Sequence, residues 1–157
     1  MQAALDAIAS ATPLRPGIAV ILGSGWDALS ERLQDAVTIA YADLPGFPRS
    51  GVSGHAGVLR LGRLDGQTVA LLAGRQHGYE TGAVDAMVLP LRVLRELGCH
   101  TLVQTNAAGS LRADLPPGRL MLISDHLNLP QRSPLVGLTD STRFVNMVDA
   151  YDPALRQ

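Results

Sequence analysis

The chain has 157 residues, of which 46% are hydrophobic and 17% charged, with a formal net charge of −1. This length and composition favour one folded domain over a disordered chain, and the lack of a basic cluster in the sequence argues against nucleic-acid binding. The single cysteine, Cys99, excludes an intrachain disulfide framework. The sequence has no signal-peptide pattern and no apolar run of about 20 residues, so we expect a soluble, cytoplasmic protein without a membrane partner.

The first part of the chain alternates predicted helices and strands. Alanines and aliphatic residues at helical spacing predict a helix over 2–10, and the apolar run "GIAVIL" predicts a buried strand over 17–22. A short amphipathic helix is predicted over 26–34 and a second strand over 37–41. The stretch 44–57, rich in Pro, Gly and Ser, fits no regular element and is interpreted as a surface loop or a functional loop.

A hairpin signal opens the next part of the chain. Asp65-Gly66 lies between the apolar segments "GVLRLGRL" and "QTVALLAG", a pattern typical of a tight turn joining two strands. A helix is then predicted over 83–98, a buried strand running into a small-residue turn over 101–109, and another strand over 119–129. Strands mixed with helices in this order predict an α/β architecture around a mixed sheet.

The turn "ILGSGWDAL" is the first candidate binding site, because it joins a predicted buried strand to a predicted helix. Its glycines and alanine match G-x-G-x-x-A, the loop that seats a dinucleotide, but a different anion or an ordinary tight turn also fits. A dinucleotide site needs an acidic residue about 20 positions later. Asp43 matches this only in part, whereas Ser24 adds a hydroxyl suited to a free phosphate.

Two other predicted strand ends also carry residues suited to an anion. In "AGRQHGYE", Arg75, His77 and Tyr79 occupy alternate positions of an extended segment and are predicted to point to one side. In "QTNAAGS", small residues around Ala107 would let a ligand approach the main-chain amides. Each stretch alone also fits a solvated strand end or a tight bend. Together they favour a ligand site, because α/β sheets bind ligands at strand ends.

The remaining histidines and the absence of several catalytic motifs limit the kinds of site that the sequence supports. His55, in "SGHAG", is either solvated or directed at the same anion, and His126 is predicted to tie a strand end to the backbone. Trp26 and Met87 are interpreted as packing residues. The sequence has no Cys/His spacing for zinc, no G-x-S-x-G turn and no P-loop lysine.

Five motifs resemble, in order and spacing, those of the trimeric purine nucleoside phosphorylases: "GSGW", "FPRSGVSGHAG", "GRQHGYE", "TNAAGSL" and "DHLNLP…PLVG". The forms "NAAGSL" and "PLVGL" look most like the bacterial inosine/guanosine/xanthosine branch, and the methylthioadenosine phosphorylases are the nearest alternative. The resemblance implies a nucleoside phosphorylase-like fold, with a mixed central sheet flanked by helices, and a homotrimer.

The resemblance also implies roles for individual residues. The implied phosphate-binding residues are Ser24, His55, Arg75, His77 and Ala107. Of these, Arg75, His77 and His55 are the implied catalytic residues. Tyr79 is expected to contact the ribose, and Phe144 matches an aromatic residue lent to the neighbouring subunit's sugar site. No metal and no cofactor are implied, because inorganic phosphate is the co-substrate.

The implied reaction is phosphorolysis, in which phosphate attacks C1′ of a purine nucleoside and releases the base and ribose 1-phosphate. Family members are longer, and their later portion supplies the residues that read the purine. We therefore expect residues 1–157 to form a single domain, the amino-terminal portion of a nucleoside phosphorylase, and whether it turns over substrate stays open. A catalytically inactive phosphate-binding module is the alternative from another class. A dinucleotide-binding protein is disfavoured because it gives "GRQH" and "NAAG" no role.

Overall fold

A computed structural model describes residues 1–48 and 57–157. The helices are α1 (Gln2–Ala11), α2 (Asp27–Glu31), α3 (Gly78–Thr81) and α4 (Val88–Glu96). The strands are β1 (Ile18–Leu22), β2 (Gln34–Ala40), β3 (Val58–Leu64), β4 (Gln67–Ala73) and β5 (Thr101–Gln104). Short 3₁₀ turns occupy Tyr41–Asp43 and Ser141–Arg143. The chain divides into two compact units, 1–107 and 108–157.

The first unit contains one five-stranded sheet with the order β2-β3-β4-β1-β5. β1 is parallel to both of its neighbours, β4 and β5, whereas β2, β3 and β4 are joined antiparallel. The mixed sheet and its helices confirm the predicted α/β class. Because β4, β1 and β5 run in the same direction, their carboxyl ends lie side by side at one edge of the sheet.

Apolar side chains cover both faces of the central strands. On one face, Ile21 of β1 and Leu72 of β4 join a core that includes Ile8 of α1 and Leu94 of α4. On the other face, β1 and β4 residues pack with Trp26 and with side chains of the α2 region. This two-sided burial explains why "GIAVIL" is continuously apolar rather than alternating, and it confirms the packing role predicted for Trp26.

The β3–β4 hairpin forms at the predicted turn. Asp65 and Gly66 both have positive φ, 47° and 81°, and Leu64 pairs with Gln67 directly across the turn. Two consecutive left-handed residues give a type I′ turn, whose twist matches that of the flanking strands.

Two elements differ from their predictions, the helix α4 in its length and the strand β5 in its exposure to solvent. The predicted helix over 83–98 begins only at Val88, after a turn in which the Val88 N–H donates to the Asp85 carbonyl at 2.9 Å. It stops before Gly98, whose φ is +110°. β5 was expected to be buried, but Leu102 and Val103 are each 44% exposed. Among the described residues β5 pairs only with β1, so it is an edge strand.

The predicted strand over 119–129 is wrong. Residues 108–157, all of which the structure describes, form turns and one 3₁₀ turn but no strand. Leu120 and Leu122, which a buried strand would cover, are 79% and 68% exposed. A strand requires a partner for its backbone N–H and C=O groups, and no segment of this unit pairs with 119–129.

Candidate functional site

The candidate site lies where β1, β4 and β5 end. β1 is followed by Gly23, β4 by Gly74 and β5 by Thr105. The three sequence stretches predicted to bind an anion therefore begin at neighbouring positions along one sheet edge. Such edges are the usual ligand sites of open α/β sheets.

Thr105 connects the turns after β1 and β5. Its hydroxyl accepts a hydrogen bond from the Gly23 N–H at 2.7 Å and donates to the Ile21 carbonyl at 3.1 Å. The contact is so close that a Cβ on Gly23 would lie 2.6 Å from the Thr105 carbonyl oxygen. Glycine is required at position 23 because the two backbones almost touch.

This contact changes the interpretation of the glycine turn. The sequence predicted a helix over 26–34 directly after this turn, and the N-terminus of such a helix favours an anion. Instead the Gly23 N–H points to Thr105, and α2 spans only Asp27–Glu31. A helix this short has a weak dipole, so an anion at this edge depends on side-chain cations more than on the turn.

Among the described residues, Arg75 is the arginine that lines the site. Its Nη1 donates to the Thr105 carbonyl at 2.7 Å, which joins the segment after β4 to the segment after β5. The side chain is half-buried. A guanidinium has five N–H donors in a planar fork, and this bond uses one of them, so the others are available to a ligand with several oxygens.

Tyr41 holds the segment that carries Arg75. Its hydroxyl donates to the Gly74 carbonyl at 2.8 Å, and its ring is 3% exposed and lies 5.2 Å from the Phe47 ring, centroid to centroid. Gly74 has a φ of +130°, in the range that favours glycine. Burial raises the pKa of Tyr41 well above its ordinary value of 10.0, so the hydroxyl keeps its proton and stays a donor at neutral pH.

His77 and Tyr79 are arranged differently from the prediction. The extended segment ends at His77, whose N–H donates to Glu80 Oε1 at 2.7 Å at the start of α3. Tyr79 belongs to α3 and is 80% exposed. The two rings are stacked, with centroids 4.9 Å apart and planes inclined by 12°. The expectation of three side chains alternating along one strand is therefore wrong, because a helical turn begins at Gly78.

A cavity of about 280 Å³ opens beside these residues. The polar residues that line it are Arg75, His77, Gln104, Thr105 and Asn106. The apolar residues that line it are Ile21, Met87 and Leu91. Within residues 1–48 and 57–157, the lining therefore includes an arginine and no carboxylate, which suits an anionic ligand or a ligand with an anionic end. Met87 both packs against the core, as predicted, and lines this cavity.

The other predicted site residues have separate positions. Ser24 is exposed beside Gly23, and Ala107 is exposed one residue after Asn106. Both follow strand ends at the same edge, although neither is part of the cavity lining. Phe144 belongs to the second unit, where it is 76% exposed and the Arg143 guanidinium lies 4.7 Å from its ring centroid. His55 lies outside the described residues.

The sequence reasoning missed Thr105 and Tyr41. Thr105 stands inside the quoted stretch "QTNAAGS", but nothing local indicates that its hydroxyl bonds Gly23, 82 positions away. Tyr41 ends a predicted strand, and the available signal was that a buried tyrosine hydroxyl needs a hydrogen-bond partner.

Residues 1–48 and 57–157 contain neither a metal-binding cluster nor a helix suited to span a membrane. No group of three or more His, Cys, Asp or Glu side chains lies close enough together to bind a metal ion. In the same part of the chain, no helix has both the length and the apolar character needed to cross a membrane.

Comparison with known proteins decides the family. The family model of the phosphorylase superfamily matches residues 17–157. The chain belongs to the phosphorylase superfamily. Purine nucleoside phosphorylase 1 of Geobacillus stearothermophilus is 45% identical over 148 residues, covering 92% of this chain and 54% of the relative. Purine nucleoside phosphorylase of Bos taurus is 46% identical over 154 residues, covering 94% and 53%.

Solved structures of this superfamily have the same fold. Purine nucleoside phosphorylase of Schistosoma mansoni in complex with inosine has a TM-score of 0.88 at 37% identity, covering 99% of this chain and 56% of that chain. Its isoform 2, in complex with cytosine and ribose-1-phosphate, has a TM-score of 0.89 at 34% identity, covering 99% and 57%. These likenesses confirm the nucleoside phosphorylase-like fold expected from the motifs. The chain spans about half the length of the curated relatives it matches.

Proposed function

We propose that this chain carries the phosphate-binding part of a purine nucleoside phosphorylase. The observation that carries the proposal is the half-buried Arg75 at the ends of three parallel strands, in a cavity whose described lining residues include no carboxylate. The names of its relatives support the same activity, as do the inosine and ribose-1-phosphate found in neighbouring structures.

In this proposal, inorganic phosphate binds through Arg75, with His77, Ser24 and the Ala107 amide as further donors, and His55 nearby. The guanidinium fork matches two phosphate oxygens and leaves the bond to Thr105 intact. Two supports restrict Arg75, namely Thr105 at its guanidinium and Tyr41 at the preceding carbonyl. A cation held in this way needs little reorganisation when the anion arrives.

The proposed reaction transfers the pentosyl group to phosphate. A phosphate oxygen forms a bond to C1′ as the C1′–N9 bond of the purine nucleoside breaks, and the bonding electrons leave with the base. The sugar becomes cation-like in the transition state, so a phosphate anion fixed beside it both stabilises charge and acts as the nucleophile. Fixing the anion also removes much of the entropic cost of the encounter. We propose no cofactor, because phosphate is itself the second substrate.

The finer parts of the proposal concern the sugar and the assembly. We assign Tyr79 and Phe144 to ribose contacts, with Phe144 acting in a neighbouring subunit of a homotrimer. The exposure of both rings supports roles that extend beyond their own local packing. We further assign the activity to cytoplasmic purine salvage.

A phosphate-binding module without catalysis is the second candidate. It is favoured by one observation, that the described residues lining the cavity suit an anion and none of them is assigned to the purine base. In that case the cavity binds phosphate and the 157-residue chain turns over no nucleoside.

The test measures both the release of hypoxanthine from inosine in the presence of inorganic phosphate and, by calorimetry, the binding of phosphate itself. It compares the 157-residue chain with a polypeptide extended to the length of its relatives, and 5′-methylthioadenosine replaces inosine in a parallel reaction. Phosphate-dependent release of hypoxanthine by either polypeptide, lost in Arg75→Ala, supports the phosphorylase. Phosphate binding by both without turnover of any nucleoside supports the inactive module. Failure of both polypeptides to bind phosphate rejects both candidates.

A further inference from the structure

We infer that Thr105 is a positioning residue for phosphate, holding the glycine turn after β1 and the Arg75 guanidinium in one fixed arrangement. This inference rests on the proposed function, because the arrangement it explains is that of the proposed phosphate site. Thr105 is suited to this role because its side chain and its backbone contact different parts of the site.

The hydroxyl fixes the glycine turn. By donating to the Ile21 carbonyl at 3.1 Å, the hydroxyl directs a lone pair at the Gly23 N–H, which it accepts at 2.7 Å. The Thr105 N–H also donates to the Ile21 carbonyl, at 3.0 Å. These three bonds attach the start of the Gly23-Ser24-Gly25 turn to the end of β5, so they set where Ser24 stands relative to the sheet edge.

The carbonyl of the same residue orients Arg75. Arginine has a long and flexible side chain, and its ordering is costly in entropy unless a bond fixes it before the ligand binds. The 2.7 Å bond from Nη1 to the Thr105 carbonyl supplies this restraint. A shift of the Thr105 peptide therefore moves both the turn that carries Ser24 and the acceptor of the guanidinium.

The carbonyl cannot be removed by substitution, but the hydroxyl can. Thr105→Ser keeps the hydroxyl and loses only the methyl group, whereas Thr105→Val keeps the branched shape and loses the hydroxyl. The Gly23 N–H then has no acceptor at this position, and the turn is expected to shift or to open to water. Thr105→Ala removes the hydroxyl as well and leaves space for a water molecule.

The experiment measures binding of inorganic phosphate to the 157-residue chain by calorimetry, together with hydrogen exchange of the Gly23 amide by NMR. It compares the unsubstituted chain with Thr105→Ser, Thr105→Val, Thr105→Ala and Arg75→Ala, and circular dichroism establishes that each variant is folded. We expect Thr105→Val to weaken phosphate binding about tenfold and to accelerate Gly23 exchange. Thr105→Ser is expected to stay within about threefold of the unsubstituted chain in both measurements.

The outcomes separate the two claims. If the unsubstituted chain binds phosphate, Arg75→Ala abolishes binding, and Thr105→Val binds as the unsubstituted chain does, then only the role of Thr105 is overturned. If the unsubstituted chain does not bind phosphate, the proposed function fails and this inference fails with it. If Thr105→Val does not fold, Thr105→Ala provides the measurement. Loss of folding in both also overturns the inference, since Thr105 then serves folding rather than positioning.

Discussion

Replacing Tyr41 with phenylalanine removes one oxygen atom from the core and leaves the aromatic ring in place. The ring is 3% exposed and packs against Phe47, so the substitution preserves apolar burial. What is lost is the 2.8 Å bond from the hydroxyl to the Gly74 carbonyl. A buried acceptor that loses its donor costs roughly 1–3 kcal/mol, so we expect Tyr41→Phe to lower the free energy of unfolding by about 2 kcal/mol.

Urea denaturation measures this loss, with Tyr79→Phe as the matched control. Tyr79 is 80% exposed, so removal of its hydroxyl is expected to change the free energy of unfolding by less than about 0.5 kcal/mol. If Tyr41→Phe is as stable as the unsubstituted chain, the Gly74 carbonyl has another partner and the reasoning fails. The reasoning would also be refuted if Tyr41→Phe lowered the free energy of unfolding by no more than Tyr79→Phe does.

The pH dependence provides a second check on Tyr41. Because burial raises the pKa of the folded-state phenol, folding favours the protonated form. The contribution of the protonated Tyr41 phenol to the free energy of unfolding is fully present below the unfolded-state pKa of about 10. It is lost as the pH rises above that value, because the unfolded chain then releases the proton more readily than the folded chain. The stability difference between the unsubstituted chain and Tyr41→Phe should therefore be constant from pH 6 to about pH 9 and shrink above about pH 10.

Three other predictions each concern a single residue. Arg75→Ala should abolish the thermal stabilisation of the chain by inorganic phosphate, whereas Arg63→Ala, the same charge change at an exposed β3 position, should retain it. Gly23→Ala should lower the free energy of unfolding by about 1–3 kcal/mol, because its Cβ would lie 2.6 Å from the Thr105 carbonyl. Gly109→Ala, with nothing within 4 Å of its added Cβ, should be nearly neutral in the same urea titration. Burial raises the pKa of the half-buried Cys99 thiol to about 11, so iodoacetamide should alkylate it at pH 8 at least about tenfold more slowly than an ordinary exposed cysteine, as mass spectrometry would measure. Alkylation at the rate of an exposed thiol would contradict the burial of Cys99.

The amino-acid sequence determined the features that depend on local pattern. The apolar run in β1, the left-handed Asp65-Gly66 pair and the helical spacing in α1 each specify an element through the conformations and periodicities of neighbouring residues. The same local patterns placed Gly23 and Arg75 at the ends of predicted strands. Motifs with fixed spacing were sufficient to identify the superfamily.

Only the tertiary structure decided which strand ends meet and what holds them together. The order β4-β1-β5 brings residues 82 positions apart into the Gly23–Thr105 hydrogen bond, and the Tyr41–Gly74 bond spans 33 positions. The segment 119–129 has an apolar pattern that suits a strand, yet it forms none because its own unit provides no pairing partner. Sequence pattern records what each segment prefers, whereas hydrogen bonding and burial between distant segments are properties of the folded chain as a whole.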